Sequence, residues 1–447
     1  MKSARHHFTP LRSVALLAFA VASLRAATAP QQPVPDELDL KTAIGFAIEN
    51  NFAIRQARER IKQQDGIVIE VSARQIPTVS ASGSAQRMRT EALNLTMEDN
   101  AWSIGLSASQ VLYAGGGVRS GVKGAKFARE AALLDLQSVI NDALLGVRTS
   151  FYNVLLAREK ITVQESNLQL LQEQLKTTSD RFDAGTVSSF EKLRAEVAVA
   201  NAKVPLITAR NDYRLAIEAL RQALGFTSNK KEDIRKIPNF VGTLDYTPAS
   251  FDLQAAFDAA HANRPDLARL AKLTATREEA VTSARAGYLP TVSAVGGWQR
   301  ANTPSLFSNV GPVSNWVIGL QSQWNIFDGR ATAGRVAQAR SVVEQSRLAE
   351  TEAQLAAEVE VRRAFSDWQQ ATELADASQK VVEQATEAVR LANARYSAGT
   401  STQLDVLQSQ VDLTTARTNQ LQAYYGYNVA VASLRKAIGQ ADSFVAN

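Results

Sequence analysis

The chain contains one pattern written twice, and any fold it adopts must house two copies of the same succession of elements. Residues 40–87 align with 253–300 at a shift of 213, without a gap and with 14 of 48 positions identical. Leu40, Ala43, Ala47 and Asn50 meet Leu253, Ala256, Ala260 and Asn263, and Pro77-Thr78-Val79-Ser80-Ala81 meets Pro290-Thr291-Val292-Ser293-Ala294. One residue is inserted between Arg300 and Trp316, and the shift becomes 214. Trp102-Ser103-Ile104-Gly105-Leu106 then meets Trp316-Val317-Ile318-Gly319-Leu320, and Ala184-Gly185-Thr186 meets Ala398-Gly399-Thr400. Leu220-Arg221-Gln222-Ala223-Leu224-Gly225 meets Leu434-Arg435-Lys436-Ala437-Ile438-Gly439. The chain therefore divides into a first repeat (30–225), an ordered linker (226–250) with Pro238 and Pro248, a second repeat (251–439) and a short tail (440–447).

Residues 1–29 stand apart as a secretory signal. Lys2, Arg5 and Arg12 form a basic start, and Val14–Leu24 is apolar but too short to span a bilayer. Ala20-Val21-Ala22 and Ala27-Thr28-Ala29 are both candidate cleavage sites. This leader carries four of the charges behind the formal +5, so the exported chain is near neutral and lacks the basic footprint of a nucleic-acid binder. No cysteine is present, which excludes disulfides, thiolate metal sites and a lipidated cysteine. His261 is the only histidine outside the leader, so neither a catalytic triad nor a His-rich metal site is expected. Gly115-Gly116-Gly117-Val118-Arg119-Ser120-Gly121 follows a strand and opens a helix, but the dinucleotide-loop spacing fails at Ser120. A strand-to-helix corner needs such glycines for conformation alone. We expect no enzyme activity, no cofactor and no bound metal.

Each repeat predicts the same elements. Short helices begin at Asp39 and near Phe251 and break at Asn50-Asn51 and Asn263-Arg264-Pro265. A second helix runs to about Gln75 and Gly287, before Pro77 and Pro290 force a change to strand. After a strand pair comes a helix of exceptional length, Gly117–Arg181, about 98 Å at 1.5 Å per residue. Its apolar residues, among them Leu133, Leu136, Ile140, Val147, Phe151 and Val154, recur at coiled-coil spacing. The turn at Ala184-Gly185-Thr186 reverses the chain into Ser188–Leu224; the second repeat gives about Thr332–Arg395, a turn at Gly399, and Gln403–Ile438. Helices this long are walls rather than parts of a globular core. The two shorter helices, set end to end, would line the long one at full height.

The strands alternate as a wall between lipid and water must. Trp102, Ile104, Leu106 and Ala108 fall on one face and Ser103, Gly105, Ser107 and Ser109 on the other. A strand over Trp316–Phe327 sets Trp316, Ile318, Leu320, Trp324 and Ile326 against Gly319, Gln321, Gln323 and Asn325. Trp102, Tyr113, Trp316, Trp324 and Phe327 are candidate membrane girdles. Loops at Thr90–Asn100 and Ala301–Val313 would face outside the cell. Four strands cannot close a barrel, and open edges are not tolerated in lipid, so a membrane role demands an oligomer: eight strands in a dimer, twelve in a trimer. The competing reading is a periplasmic coiled-coil scaffold or adhesin without a pore.

The repeated set of signals resembles the TolC family of outer-membrane efflux proteins. The resemblance is carried by Leu38-Asp39-Leu40-Lys41-Thr42-Ala43-Ile44 with Asn50-Asn51, by Tyr288-Leu289-Pro290-Thr291-Val292, and by Leu112-Tyr113-Ala114-Gly115-Gly116 with Ile326-Phe327-Asp328-Gly329-Arg330. Arg395-Tyr396-Ser397-Ala398-Gly399-Thr400, running to Asp405-Val406-Leu407, and the final Leu434-Arg435-Lys436-Ala437-Ile438-Gly439 complete it. It implies a mainly α chain whose four β-strands complete a trimeric twelve-stranded transmembrane barrel above a long α-helical barrel. Twelve helices about 10 Å apart would form a ring roughly 38 Å across, a water-filled duct. The implied function is the passive outer-membrane exit of a tripartite efflux or type I secretion system. Its partners would be outer-membrane lipid, a periplasmic adaptor (membrane fusion protein) and an inner-membrane transporter.

The resemblance also assigns sites. Ala184, Gly185, Thr186, Ala398, Gly399 and Thr400 would be the adaptor-binding tips. Glu191 and Asp405, each six residues after a turn glycine, with Tyr396 and Gln408 would form the periplasmic aperture. Some members have arginine at the position of Ser401 and a second acid at that of Gln408, so the charge lock of those members is not expected here. Six carboxylates converging in a trimer should each be harder to ionise than a lone acid.

Overall fold

The computed structural model describes residues 36–92, 95–227, 238–302 and 311–440. The expected leader lies outside them, as do residues 228–237 of the linker and 441–447 of the tail. The first repeat comprises β1 (Glu37–Leu38), α1 (Leu40–Asn50), α2 (Phe52–Ser72), β2 (Thr78–Ala92), β3 (Leu95–Ala114), α3 (Gly117–Asp183) and α4 (Ser189–Leu224). β4 (Asn239–Phe240) follows, and then α5 (Leu253–Asn263), α6 (Pro265–Arg285), β5 (Thr291–Asn302), β6 (Val313–Gln323), α7 (Ala331–Ser397) and α8 (Gln403–Ala437). The repeat holds to the residue. A shift of 213 carries both ends of α1 and α2 onto those of α5 and α6, and a shift of 214 carries both ends of α3 onto those of α7. The two long helices have 67 residues each, about 100 Å.

The helix breaks follow from capping chemistry. The α1–α2 break is held by Asn51, whose side-chain oxygen accepts the N–H groups of Ala53 and Ile54. Its amide nitrogen donates to the Ala223 carbonyl at the end of α4, 2.7 Å away. Gly225 caps α4 with φ 71°, and a Cβ there would overlap the Asn50 carbonyl oxygen. Gly439 (φ 70°) meets Asn263 and Arg264 in the same way, at 2.8 and 2.9 Å. Only glycine combines that conformation with so close an approach. Each repeat thus stacks its two shorter helices end to end along its long helix, as their summed lengths require.

Across the layer α3 lies beside α2 and α4 of its own repeat and beside α6 and α8 of the other, while α7 lies beside α6 and α8. The edges of the layer are α2 and α4 on one side and α7 on the other. The largest apolar core sits at mid-height, where Ile44 and Ala47 of α1 pack on Val147, Phe151 and Val154 of α3, on Leu220 of α4 and on Phe240. Phe151 is 1% exposed, and truncating such a residue to alanine costs about 3–5 kcal/mol. The second repeat builds a smaller equivalent from Ala256, Ala260, Val361 and Leu434.

The four long strands form one antiparallel sheet in the order β2-β3-β5-β6. One face carries Val79, Ala81, Ile104, Leu106, Trp298, Trp316, Ile318 and Leu320; Trp298 stands directly opposite Trp316. The other face carries paired hydroxyls: Thr78 with Ser109 at 2.9 Å, Ser80 with Ser107 at 2.7 Å, and Ser84 with Ser103 at 2.8 Å.

Two expectations need correction here. The segment Thr90–Asn100 is not a loop: β2 and β3 stay paired out to Ala92 and Leu95, because residues on both strands continue in register and satisfy each other's backbone groups. Trp316–Phe327 is not one strand. β6 ends at Gln323, and Asp328 instead caps α7 by accepting the Thr332 N–H at 2.8 Å, with Gly329 and Arg330 at positive φ. Trp324 and Phe327 therefore lie beyond the sheet, where the Trp324 indole N–H donates to the Tyr288 carbonyl at 3.1 Å. The other expected loop, 301–313, lies mostly outside the described residues.

Candidate functional site

Both ends of the helical layer that point away from the sheet are helix-turn-helix tips with the same construction. At the first, the Gly185 N–H donates to the Phe182 carbonyl and the Thr186 N–H to the Arg181 carbonyl, both at 2.9 Å. At the second, Gly399 donates to Tyr396 at 3.1 Å and Thr400 to Arg395 at 2.9 Å. This pair of bonds closes a helix C-terminus with the glycine left-handed, and φ is 73° and 74° at Gly185 and Gly399. The threonine hydroxyls donate to the same arginine carbonyls, at 2.9 and 3.2 Å. Ala184, Gly185, Thr186, Ala398, Gly399 and Thr400 are all exposed.

The returning helices start differently. Thr402 and Asp405 form a capping box at α8. The Asp405 carboxylate accepts from the Ser401 hydroxyl at 2.6 Å and from the Thr402 N–H and hydroxyl, both at 2.9 Å. These bonds hold its pKa below the ordinary carboxylate value, the Ser401 hydroxyl contributing most. Within one chain these local donors favour the charged form of Asp405, and Ser401 is the chief of them; the expected repulsion among six acids belongs to an assembled ring. Glu191 holds the equivalent position after the Ser188 cap, but its carboxylate makes no such return bond. Gln408 donates to Asp412 at 3.0 Å rather than to either acid.

Two contacts that spacing alone did not reveal join the tips of the two repeats. The Arg181 guanidinium of α3 lies 5.1 Å from the centre of the Tyr396 ring of α7, a cation–π arrangement. The Tyr396 hydroxyl is enclosed and has no hydrogen-bond partner among the described residues, so its ring rather than its oxygen makes the contact. Deeper in, the Gln403 amide donates to the Thr178 hydroxyl at 3.1 Å, with Thr178 fully buried and Gln403 3% exposed. One signal for the first contact was legible: Arg181 with Phe182 and Arg395 with Tyr396 occupy equivalent places in the two repeats.

At the other end, the apolar face of the sheet is exposed, with Trp316 at 76% and Ile318 at 80%. Tyr113 joins this face only through a bulge. Val111 pairs with Ser293 and Tyr113 with Val292, so Leu112 is left without an opposite residue and the alternation changes phase. Without the bulge Tyr113 would share the hydroxyl face with Ser107 and Ser109. Among the described residues there is no cluster of metal-ligating side chains, and no helix is long and apolar enough to cross a membrane.

The family described as Outer membrane efflux protein matches residues 43–226 and 256–440. Over 401 residues the chain is 26% identical to Protein CyaE of Bordetella pertussis, covering 88% of this chain and 83% of that protein. Over 431 residues it is 26% identical to the pyoverdine export outer membrane protein OpmQ of Pseudomonas putida, covering 91% and 87%. In fold it is similar to the outer membrane channel CmeC of Campylobacter jejuni, with a TM-score of 0.78 at 17% identity over 90% of this chain and 85% of that one.

Proposed function

The chain belongs to the outer membrane efflux protein family, and from that premise we propose that three copies of it close into one duct through the outer membrane and the periplasm. As a member of the family it is an outer-membrane efflux or secretion channel. The finer reading is a twelve-stranded barrel in lipid, continued by twelve helical columns and ending in an aperture at the tips.

The observation that carries this reading is that the chain is open at both lateral edges. β2 and β6 each have one unpaired side. The outer helix α4 exposes Phe190, Leu193, Val197, Val204 and Ile207 along its length, and α7 exposes Leu374, Val381 and Leu391. Inside the chain α3 packs on α6 and α8 of the other repeat. The same packing between chains would set α7 on α2 and α4 of the next copy, covering these stripes and giving six similar units around one axis. A scaffold without a pore would have no use for a sheet that exposes its apolar face.

In this assembly the exposed Ala-Gly-Thr tips meet a periplasmic adaptor fed by an inner-membrane transporter. Three Glu191 and three Asp405 side chains face a narrow opening, and such a ring focuses the field and attracts cations. The test is a planar bilayer. Purified protein should be trimeric, cation-selective, weakly conducting and blocked by polyvalent cations from the tip side. Asp405→Ala with Glu191→Ala should remove most of that block. Monomeric protein in the outer-membrane fraction, or unchanged selectivity and block in the double variant, would defeat the assembly or the aperture respectively.

A further inference from the structure

Below the edge of the sheet, where α6 hands over to β5, Arg285, Tyr288, Leu289, Val336, Ala337 and Arg340 line an open pocket of about 510 Å³. Its rim is continuous with the apolar face, because Trp324 is bonded to the Tyr288 carbonyl. Beside it Ile326 and Phe327 are 84% and 83% exposed. Aromatic and aliphatic groups at this depth sit at the head-group level of a bilayer. Both arginines are exposed, and among the described residues neither is held by a hydrogen bond or an ion pair. The nearby carboxylate, Asp328, is engaged by the Thr332 N–H and by Arg335.

The first repeat shows that a neighbouring copy need not cover this pocket. A shift of 213 or 214 maps Tyr288, Leu289, Ala333 and Arg340 onto Gln75, Ile76, Arg119 and Lys126. All four of those positions are exposed, although α6 of the second repeat packs beside them, through Lys123 to Glu279 at 3.6 Å and through Thr276 to Gly124. Arg119 likewise shares a pocket with Leu112 and Tyr113. Both repeats thus set exposed cations under the same end of the apolar sheet.

We propose that Arg285 and Arg340 bind the phosphate of an anionic phospholipid in the leaflet facing the helical tube, with its acyl chains running along Leu289, Tyr288 and Trp324. This rests on the outer-membrane reading above. Guanidinium groups suit phosphate because they donate in a planar fork, and the apolar rim selects a lipid over a free ion.

The test is native mass spectrometry of the full chain, purified as trimers in an uncharged detergent. It is titrated separately with dioleoylphosphatidylglycerol, with dioleoylphosphatidylcholine, and with phosphatidylglycerol in the presence of inorganic phosphate. Wild type should retain phosphatidylglycerol in preference to phosphatidylcholine, and millimolar phosphate should not displace it. Arg285→Gln and Arg340→Gln should each weaken retention about fivefold, while Arg210→Gln, remote on α4, should not. Equal retention of both lipids, displacement by phosphate, or unchanged retention in the double variant overturns the proposal. If the double variant fails to assemble, Arg340→Gln alone carries the test, since no bond among the described residues holds its guanidinium. Absence of trimers in wild type would count against the channel assembly and not against the lipid site.

Discussion

The guanidinium of Arg181 sits over the ring of Tyr396, 5.1 Å from its centre, and so ties the tip of one repeat to the tip of the other. A contact of this kind is worth about 0.5–2 kcal/mol, or roughly two- to thirtyfold in the ratio of closed to open tips. Arg181→Gln and Tyr396→Ala should both raise single-channel conductance or open probability in a planar bilayer. Tyr396→Phe should leave them unchanged, because the hydroxyl has no partner among the described residues. A Phe variant as leaky as the Ala variant would assign the closure to the hydroxyl instead.

The Asp405 capping box predicts a pH dependence with a definite sign. Its folded pKa is lowered by Ser401 and Thr402, so the stabilisation is complete above the ordinary carboxylate range and is lost as pH falls through the lowered value, below about 4. Amide hydrogen exchange at the start of α8 should be faster in Asp405→Asn than in wild type at pH 7, and the difference should shrink as pH falls through the lowered value. Ser401→Ala should show part of the same effect. Equal exchange at neutral pH would mean that the box does not hold the helix start.

Gly225 and Gly439 are where the stacked helices touch. Alanine at either would combine a left-handed conformation, costing about 1–2 kcal/mol, with overlap against the Asn50 or Asn263 backbone. Gly225→Ala and Gly439→Ala should therefore lower the yield of trimers and the melting temperature. Gly45→Ala, in α1 with open space around it, should be neutral or raise stability by about 0.5–1 kcal/mol. Thermal unfolding of the three variants side by side decides the matter.

The bulge at Leu112 predicts that neither the chemistry nor the presence of the extra residue sets the face on which Tyr113 lies. Leu112→Ala should insert and form heat-modifiable trimers. Deleting Leu112 should leave Tyr113 opposite Val292 on the apolar face, directly after Val111 in regular alternation, because the residue removed is the unpaired one. The deletion variant should therefore also appear as heat-modifiable trimers in the outer-membrane fraction, and its absence there would show that the strand needs the bulge itself.

Much of this protein was determined by sequence alone, because the signals involved are local and written twice. Pro77 and Pro290, the Asn50-Asn51 and Asn263-Arg264 breaks, and Gly185 and Gly399 each act on their own backbone, so the boundaries of α1, α2, α3 and their counterparts could be read from residue type and shift. The end-to-end stacking of shorter helices on longer ones also followed, from length alone. What only the tertiary structure decided depends on partners far apart in the chain. Tyr113 reaches the apolar face through pairing with β5, 179 residues on at Val292, and no alternation within β3 predicts it. β6 ends at Gln323 because Asp328 finds the Thr332 N–H. Asp405 is eased into its charged form because Ser401 and Thr402 turn their donors toward it. Arg181 finds Tyr396 because the packing of α3 against the stacked α6 and α8 brings two tips together. Spacing along one helix fixes which residues share a face, but the face each residue meets is set by the neighbour that packs there.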